Sequence, residues 1–217
     1  MKSKKQKHAL VVCNGEMPSS KYLSMLLKSK PFILCADGGA NKARSFGIMP
    51  DTIIGDLDSI TKQTRLAFSN VPTIHIADQY STDLEKALNY LVTNKFSSAI
   101  IIGATGERPD HAMANYSILQ KYYNKLRLEF FDDYCTIEII KQKVSFTAKI
   151  GQQISLMPMG KCSGIVTKGL KYPLRNESLE LGVREGSSNE AAAKKIFITV
   201  KTGALLLFKI HSSFSAK

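Results

Sequence analysis

From residue 9 to residue 131 the chain repeats one pattern: a short continuous apolar run, then a stretch with apolar residues at helical spacing. The runs fall at 9–13, 32–35, 52–54, 73–76, 99–102 and 126–131. Between them lie segments such as Tyr22, Leu23, Leu26 and Leu27, or Leu84, Ala87, Leu88 and Leu91. A strand that is apolar on both faces must be covered on both, which points to a parallel sheet between helices. The pattern therefore predicts a Rossmann-like α/β domain over residues 1–133, with a parallel six-stranded sheet and helices on both faces.

Past Tyr134 the period changes. Runs at 136–140, 144–147, 153–157, 164–168, 179–181, 196–200 and 205–210 are short, largely alternating, and broken by Gly, Pro, Asn and Ser. Helical spacing is missing between most of them, so residues 134–217 are expected to form a small antiparallel β-sandwich. A β unit of roughly eighty residues is marginal alone and has strand edges to hide. It is expected to pack on its neighbour or on a second copy.

Composition narrows the function classes. With 44% hydrophobic residues the chain can build real cores. Its four cysteines lie far apart without a C-x-x-C pair, which fits buried, reduced thiols of a cytoplasmic protein rather than a zinc site or a disulfide scaffold. Lys2, Lys4, Lys5 and Lys7 read as a basic tail before the first strand, and the run behind them is too short for a signal-peptide core. No segment approaches the roughly 20 apolar residues of a membrane helix. The net charge of +12 is compatible with nucleic-acid binding, yet the lysines are scattered, with no RGG tract, aromatic RNP-like run or zinc knuckle. Attraction of an anionic small substrate is the favoured reading, and a basic nucleic-acid-binding protein is the alternative of another class.

The polar residues follow the strands rather than precede them. After the second run comes Asp37-Gly38-Gly39-Ala40-Asn41, and after the third Gly55-Asp56-Leu57-Asp58-Ser59. The fourth is followed by Asp78-Gln79-Tyr80-Ser81-Thr82-Asp83 and the fifth by Gly103-Ala104-Thr105-Gly106-Glu107-Arg108-Pro109-Asp110-His111. In a parallel sheet all four clusters meet on the carboxyl edge, where such sheets bind ligands. Carboxylates gathered there repel one another unless a cation offsets them; the D-x-D pair Asp56 and Asp58 suits Mg²⁺, and Asp83 is expected to face the same edge.

Single pieces have plain alternatives. Asp37-Gly38-Gly39 is either a phosphate-binding helix start or a tight turn. Thr82 with Glu85 has capping-box spacing. Lys86 either reaches a phosphate or pairs with Asp83. Thr105, Gly106 and Arg108 suggest a phosphate cradle, although neither P-loop nor G-x-G-x-x-G spacing is present. Asp110 is a helix cap or a further acidic group. In the second unit, 167–174 and 186–190 hold more polar residues than a sandwich needs, or are ordinary hairpin loops.

Taken in order, these motifs resemble the thiamine pyrophosphokinase family: D-G-G-A at Asp37, P-D-x-I-I-G-D-x-D-S from Pro50, D-Q-x-x-T-D-x-x-K-A-L from Asp78 and G-A-x-G-x-R-x-D-H from Gly103. G-L-x-Y-P-L from Gly169 and S-N-E from Ser188 fit as well. The resemblance implies an α/β ATP-binding domain followed by a β domain, and transfer of the pyrophosphoryl group of ATP to thiamine. It implies Asp56, Asp58 and Asp83 as magnesium ligands, with Asp37, Gly38, Gly39, Asn41, Thr82, Lys86, Thr105 and Gly106 around the nucleotide. Gln79 would approach the phosphates, Arg108 or Lys86 would neutralise charge on the transferred group, and Asp83 or Asp110 would accept the hydroxyl proton. Tyr172, Ser188 and Asn189 would meet thiamine, together with Gln79 and Asp110, at the junction of a homodimer. Leu57 stands where many members have Phe, and the chain has no tryptophan to stack on thiamine. A magnesium-dependent transferase with another acceptor is the rival enzyme reading.

Overall fold

The computed structural model describes residues 7–106 and 108–211. The basic stretch 1–6 and Glu107 of the phosphate-cradle motif lie outside the described residues. The chain divides into two compact units, the first ending at Asp133 and the second beginning at Tyr134.

The first unit alternates strands β1 (His8–Val12), β2 (Phe32–Ala36), β3 (Thr52–Gly55), β4 (Thr73–His75), β5 (Ser98–Ile102) and β6 (Arg127–Phe131) with helices. The helices are α1 (Ser20–Leu27), α2 (Gly39–Ser45), α3 (Lys62–Ala67), α4 (Asp83–Thr93) and α5 (Pro109–Tyr122). The strands pair parallel in the order β6-β5-β1-β2-β3-β4. Leu10, Val12, Cys35 and Ile53 share a core with Leu23 and Leu26 of α1 and Ala40 and Ala43 of α2. The intervening Val11, Leu34, Ile54 and Ile101 are equally buried, so both faces of the strands are covered and continuous apolar runs are required.

Because β1 pairs with both β2 and β5, the chain reverses its direction of growth there. The carboxyl ends of β1 and β5 thus flank the crevice that a topological switch point opens.

The second unit is antiparallel. Strands β7 (Cys135–Ile140), β9 (Gln153–Pro158), β12 (Gly186–Glu190) and β14 (Leu205–Ile210) pair in the order β12-β9-β14-β7. Strands β8 (Lys143–Thr147), β10 (Cys162–Lys168), β11 (Arg175–Leu179) and β13 (Lys195–Thr199) pair in the order β11-β10-β13-β8. Ile140, Ile154, Leu156, Leu205 and Leu207 from the first set meet Ile165, Leu179, Ile196 and Ile198 from the second in one core.

Two elements differ from the sequence reading. The expected strand at 179–181 lies earlier, at β11, because Glu180 and Arg184 pair across a turn instead. The polar stretch 186–190, read as a loop, is a strand whose register against β9 shifts between Gly186 and Asn189. That bulge carries Ser188 at φ 56° and buries Asn189, so alternation is lost where it would have marked a strand.

Candidate active site

Each acidic cluster begins where a strand stops pairing. At the end of β2, Asp37 takes a left-handed backbone (φ 41°) and turns the chain into α2. Two residues beyond β3, Leu57 does the same (φ 68°), which costs a leucine on the order of 1–2 kcal/mol. The turn breaks the pleat that would otherwise keep the neighbouring carboxylates in an extended strand. Asp37, Asp56 and Asp58 each offer an oxygen within 4.8 Å of the others'. The side chains of this turn hold one another: the Asp58 N–H donates to Asp56 Oδ1 at 3.4 Å and the Ser59 hydroxyl to Asp58 Oδ1 at 3.0 Å. Arg65 donates to the carbonyl of Leu57.

Asp83 approaches from α4. Thr82 caps this helix with a complete capping box, its hydroxyl accepting from Glu85 N at 3.2 Å while Glu85 Oε2 accepts from Thr82 N at 3.0 Å. The cap fixes Asp83 in the first turn, as the spacing predicted. Gly55 is the hinge of this packing: a Cβ there would lie 2.8 Å from Asp37 Cβ and 3.1 Å from Asp83 Oδ1. Any side chain at 55 would drive the two carboxylates apart.

Lys86, only 3% exposed, donates to Asp83 Oδ1 at 2.9 Å and lies 3.8 Å from Asp56 Oδ2. Burial pulls its ammonium down, but the bond and charge of Asp83 and the charge of Asp56 more than compensate, and it stays charged. Burial lifts the Asp83 carboxyl above its ordinary range despite Lys86, with repulsion from Asp37 and Asp56 adding to the rise. The one lysine thus faces more negative charge than it can offset. Asp37 Oδ1 is buried and has no hydrogen-bond partner among the described residues. A buried carboxylate oxygen left bare is costly, and three hard oxygen donors facing one point fit a divalent cation of the Mg²⁺ type.

The remaining edge is continuous. A Cβ at Gly38 would strike the Asn14 side chain at 2.7 Å, and one at Gly39 the carbonyl of Val12 at 2.0 Å. Gly15 N donates to the Gly103 carbonyl at 2.8 Å and Glu16 N to that of Thr105 at 3.0 Å. Gly106 (φ 83°) lies against Glu16. The loops after β1, β2 and β5 therefore touch in sequence from Gly106 through Gly15 and Asn14 to Gly38. Asn14-Gly15 is absent from the site residues expected from sequence; its position directly after the first strand was the available signal.

Other candidates are engaged locally. Asn41 donates to the Ser59 carbonyl at 2.8 Å and accepts from Thr61 N at 3.1 Å, bracing the loop after β3. The Thr105 hydroxyl donates to Asp132 Oδ2 at 3.1 Å. Arg108 and Asp110 form a two-pronged pair at 2.9 and 2.6 Å, both well exposed. That bond holds the Asp110 carboxyl far below its usual range. Gln79 is exposed beside Asp78, whose carboxylate accepts from Tyr80 N at 2.9 Å and from Ser81.

In the second unit Asn189 accepts from Tyr172 N at 3.1 Å and donates to the Tyr172 carbonyl at 2.7 Å. Ser188 N donates to the Ser155 hydroxyl at 3.0 Å. Of the residues expected near thiamine, Asn189 and Tyr172 are thereby held together with Ser188 next in the chain, and Tyr172 is 62% exposed.

Fold and site define a two-unit protein, α/β then β, with a carboxylate-rich ligand edge on the first. Residues 23–130 match the thiamin pyrophosphokinase catalytic domain, and residues 135–206 match the thiamin pyrophosphokinase vitamin B1 binding domain. Thiamine pyrophosphokinase 2 of Arabidopsis thaliana is 31% identical across 94% of this chain and 86% of its own length. The Bacillus subtilis thiamine pyrophosphokinase is 28% identical over 80% of this chain and 84% of its own. The chain belongs to the thiamin pyrophosphokinase family. Its fold matches a crystal structure of thiamine pyrophosphokinase from Bacillus subtilis with a TM-score of 0.85 at 24% identity, over 95% of this chain and all of that one. The yeast thiamin pyrophosphokinase structure matches with a TM-score of 0.84 at 19% identity, over 97% and 88%.

Proposed function

We propose that this chain transfers the pyrophosphoryl group of ATP to the primary hydroxyl of thiamine, giving thiamine diphosphate and AMP. The observation that carries the reading is the meeting of Asp37, Asp56 and Asp58 around one point on a Rossmann-like ligand edge. In this reading the hydroxyl oxygen bonds to the β-phosphorus, the bond between that phosphorus and the oxygen bridging to the α-phosphorus breaks, and AMP leaves with the electron pair. Such transfers ask for positioning and charge neutralisation more than covalent chemistry.

Asp37, Asp56 and Asp58 would hold Mg²⁺. Bound there, the ion would neutralise phosphate charge. The sequence reading placed Asp83 in this set instead of Asp37. In this proposal Asp37 takes that place because its buried oxygen is bare, and Asp83 bonds Lys86. Asp83, beside the carboxylate cluster, would then serve as proton acceptor, whereas Asp110 is tied to Arg108 by two hydrogen bonds. Gly38, Gly39, Thr82, Thr105 and Gly106 would line the nucleotide path. Gln79 and Arg108, exposed as they are, would turn to the phosphates on binding.

Tyr172, Ser188 and Asn189 would meet thiamine, the Tyr172 ring supplying the flat face that tryptophan cannot. The second unit would pair with its copy, placing the thiamine site at a subunit junction. The buried free cysteines suit a reducing cytoplasm, and among the described residues no helix is long and apolar enough to cross a membrane.

The deciding experiment is product analysis with ATP and Mg²⁺, with and without thiamine. AMP formed only with thiamine is expected. ADP as product, or AMP release indifferent to thiamine, would refute the reading.

A further inference from the structure

A cavity lies at the end of the first unit where the strands begin, opposite the carboxylate edge. Its volume is about 890 Å³, within the range of small-molecule sites. The amino ends of β1, β2 and β5 form its floor, through His8, Phe32 and Ser98, and the last turns of α1 and α4 form its walls. None of the residues assigned to ATP or thiamine lines it.

Its lining has two parts. One is aromatic: Phe32 stacks on Tyr90 with ring centres 6.3 Å apart and planes 20° from parallel, and packs on Phe96 at 5.2 Å. The other is cationic, with exposed Lys7 and Lys30 at the rim and no carboxylate among the lining residues. Lys7 holds its ammonium 5.4 Å from the centre of the Phe96 ring, so charge and aromatic face stand side by side. His8 Nδ1 hydrogen-bonds the Ser98 hydroxyl across β1 and β5, giving a fixed polar pair at the floor.

The carboxyl ends of α1 and α4 oppose this charge, each contributing about half a negative unit. Lys7 answers α4 directly, its ammonium 3.5 Å from the Asn94 carbonyl just past the helix. Two full positive charges against roughly one unit of dipole charge leave the rim positive. Lys30 also occupies a left-handed backbone position (φ 49°), three residues past the end of α1.

We infer that the cavity floored by His8, Phe32 and Ser98 and rimmed by Lys7 and Lys30 is a second binding site, for a planar aromatic monoanion. The flat body lies against Phe32, Tyr90 and Phe96, and the anionic group meets the lysines.

The test uses the intact chain and two probes that share an anilinonaphthalene body: 8-anilinonaphthalene-1-sulfonate, and N-phenyl-1-naphthylamine, which lacks the sulfonate. Fluorescence titration is expected to show one saturable site per chain that favours the sulfonate at least fivefold. The double variant Lys7→Glu/Lys30→Glu abolishes that preference and leaves the neutral probe's affinity in place. Ser29→Trp, which fills the mouth, abolishes binding of both. Lys7, Lys30 and Ser29 are exposed, and unchanged turnover of ATP and thiamine, or an unchanged melting temperature should turnover be absent, reports an intact fold. Non-saturable binding overturns the inference, as does a sulfonate preference that survives reversal of both lysines. Undiminished binding to Ser29→Trp overturns it by placing the probe elsewhere, and if that variant does not fold, the lysine pair alone decides.

Discussion

Asp37 and Asp83 are both acidic, both near Gly55, and set to different tasks by their surroundings. Asp37 is 3% exposed with a bare oxygen, while Asp83 has its own lysine at 2.9 Å. If Asp37 belongs to a cation site, Mg²⁺ at a hundredfold excess over its dissociation constant stabilises the protein by about 2.7 kcal/mol. Asp37→Asn and Asp56→Asn are each expected to abolish the Mg²⁺-dependent rise in melting temperature along with turnover. Asp83→Asn is expected to keep most of that rise while turnover falls at least a hundredfold, in line with loss of a general base. Calorimetry with and without Mg²⁺, beside an AMP assay, separates the two. Equal behaviour of all three variants would return Asp83 to the metal set.

At the scale of elements, the capping box of α4 serves the site by holding Asp83, and α4 is itself held from α5. Tyr122, 1% exposed, donates to Asn89 Oδ1 at 2.8 Å and approaches the Glu85 carbonyl at 3.3 Å. Lys121 pairs with Glu85 on the same side. Burial pushes the Tyr122 hydroxyl up to about 12 from 10, with the Glu85 charge adding to the shift. The native state therefore holds the proton more tightly than the unfolded chain. The stabilisation is complete below pH 10 and is lost as pH rises through 12. Two units correspond to roughly 2–3 kcal/mol across that window. Tyr122→Phe is expected to cost about 1 kcal/mol at pH 8 through its lost hydrogen bonds, and to flatten the decline between pH 10 and 12. Denaturant midpoints at pH 8, 10 and 12 check both, and identical slopes for the two proteins would contradict the account.

Over the whole molecule, the second unit exposes the apolar surface of Tyr172 (62%), Leu181 (57%) and Val183 (76%). Pairing of two copies, as proposed, would cover part of it. Light scattering at micromolar concentration is expected to give twice the mass of one 24.0 kDa chain, and the melting temperature should rise with protein concentration. A monomer whose melting is independent of concentration would remove the subunit-junction site. The +12 net charge, by contrast, sits on a molecule whose ligand edge is negative where Asp37, Asp56, Asp58 and Asp83 gather. Its basic excess is therefore no footprint of nucleic-acid binding at that edge.

Much of this was legible in the chain alone, and for a local reason. Whether a run such as 9–13 is a buried strand, whether Thr82 caps a helix, and whether an acidic cluster follows rather than precedes a strand depend on neighbours a few residues away. The switch from alternating strands and helices to strands only past Tyr134 is of the same kind. What needed three dimensions was the choice among equivalent groups. Nothing near Asp37 in sequence says that its oxygen would be bare and within 4.8 Å of Asp56 and Asp58, since that follows from the parallel pairing of β2 with β3. Nor does 186–190 betray a strand, because a bulge destroys the alternation by which strands are recognised. Local periodicity is written into consecutive residues, but convergence of side chains from separate strands exists only once the backbone has paired.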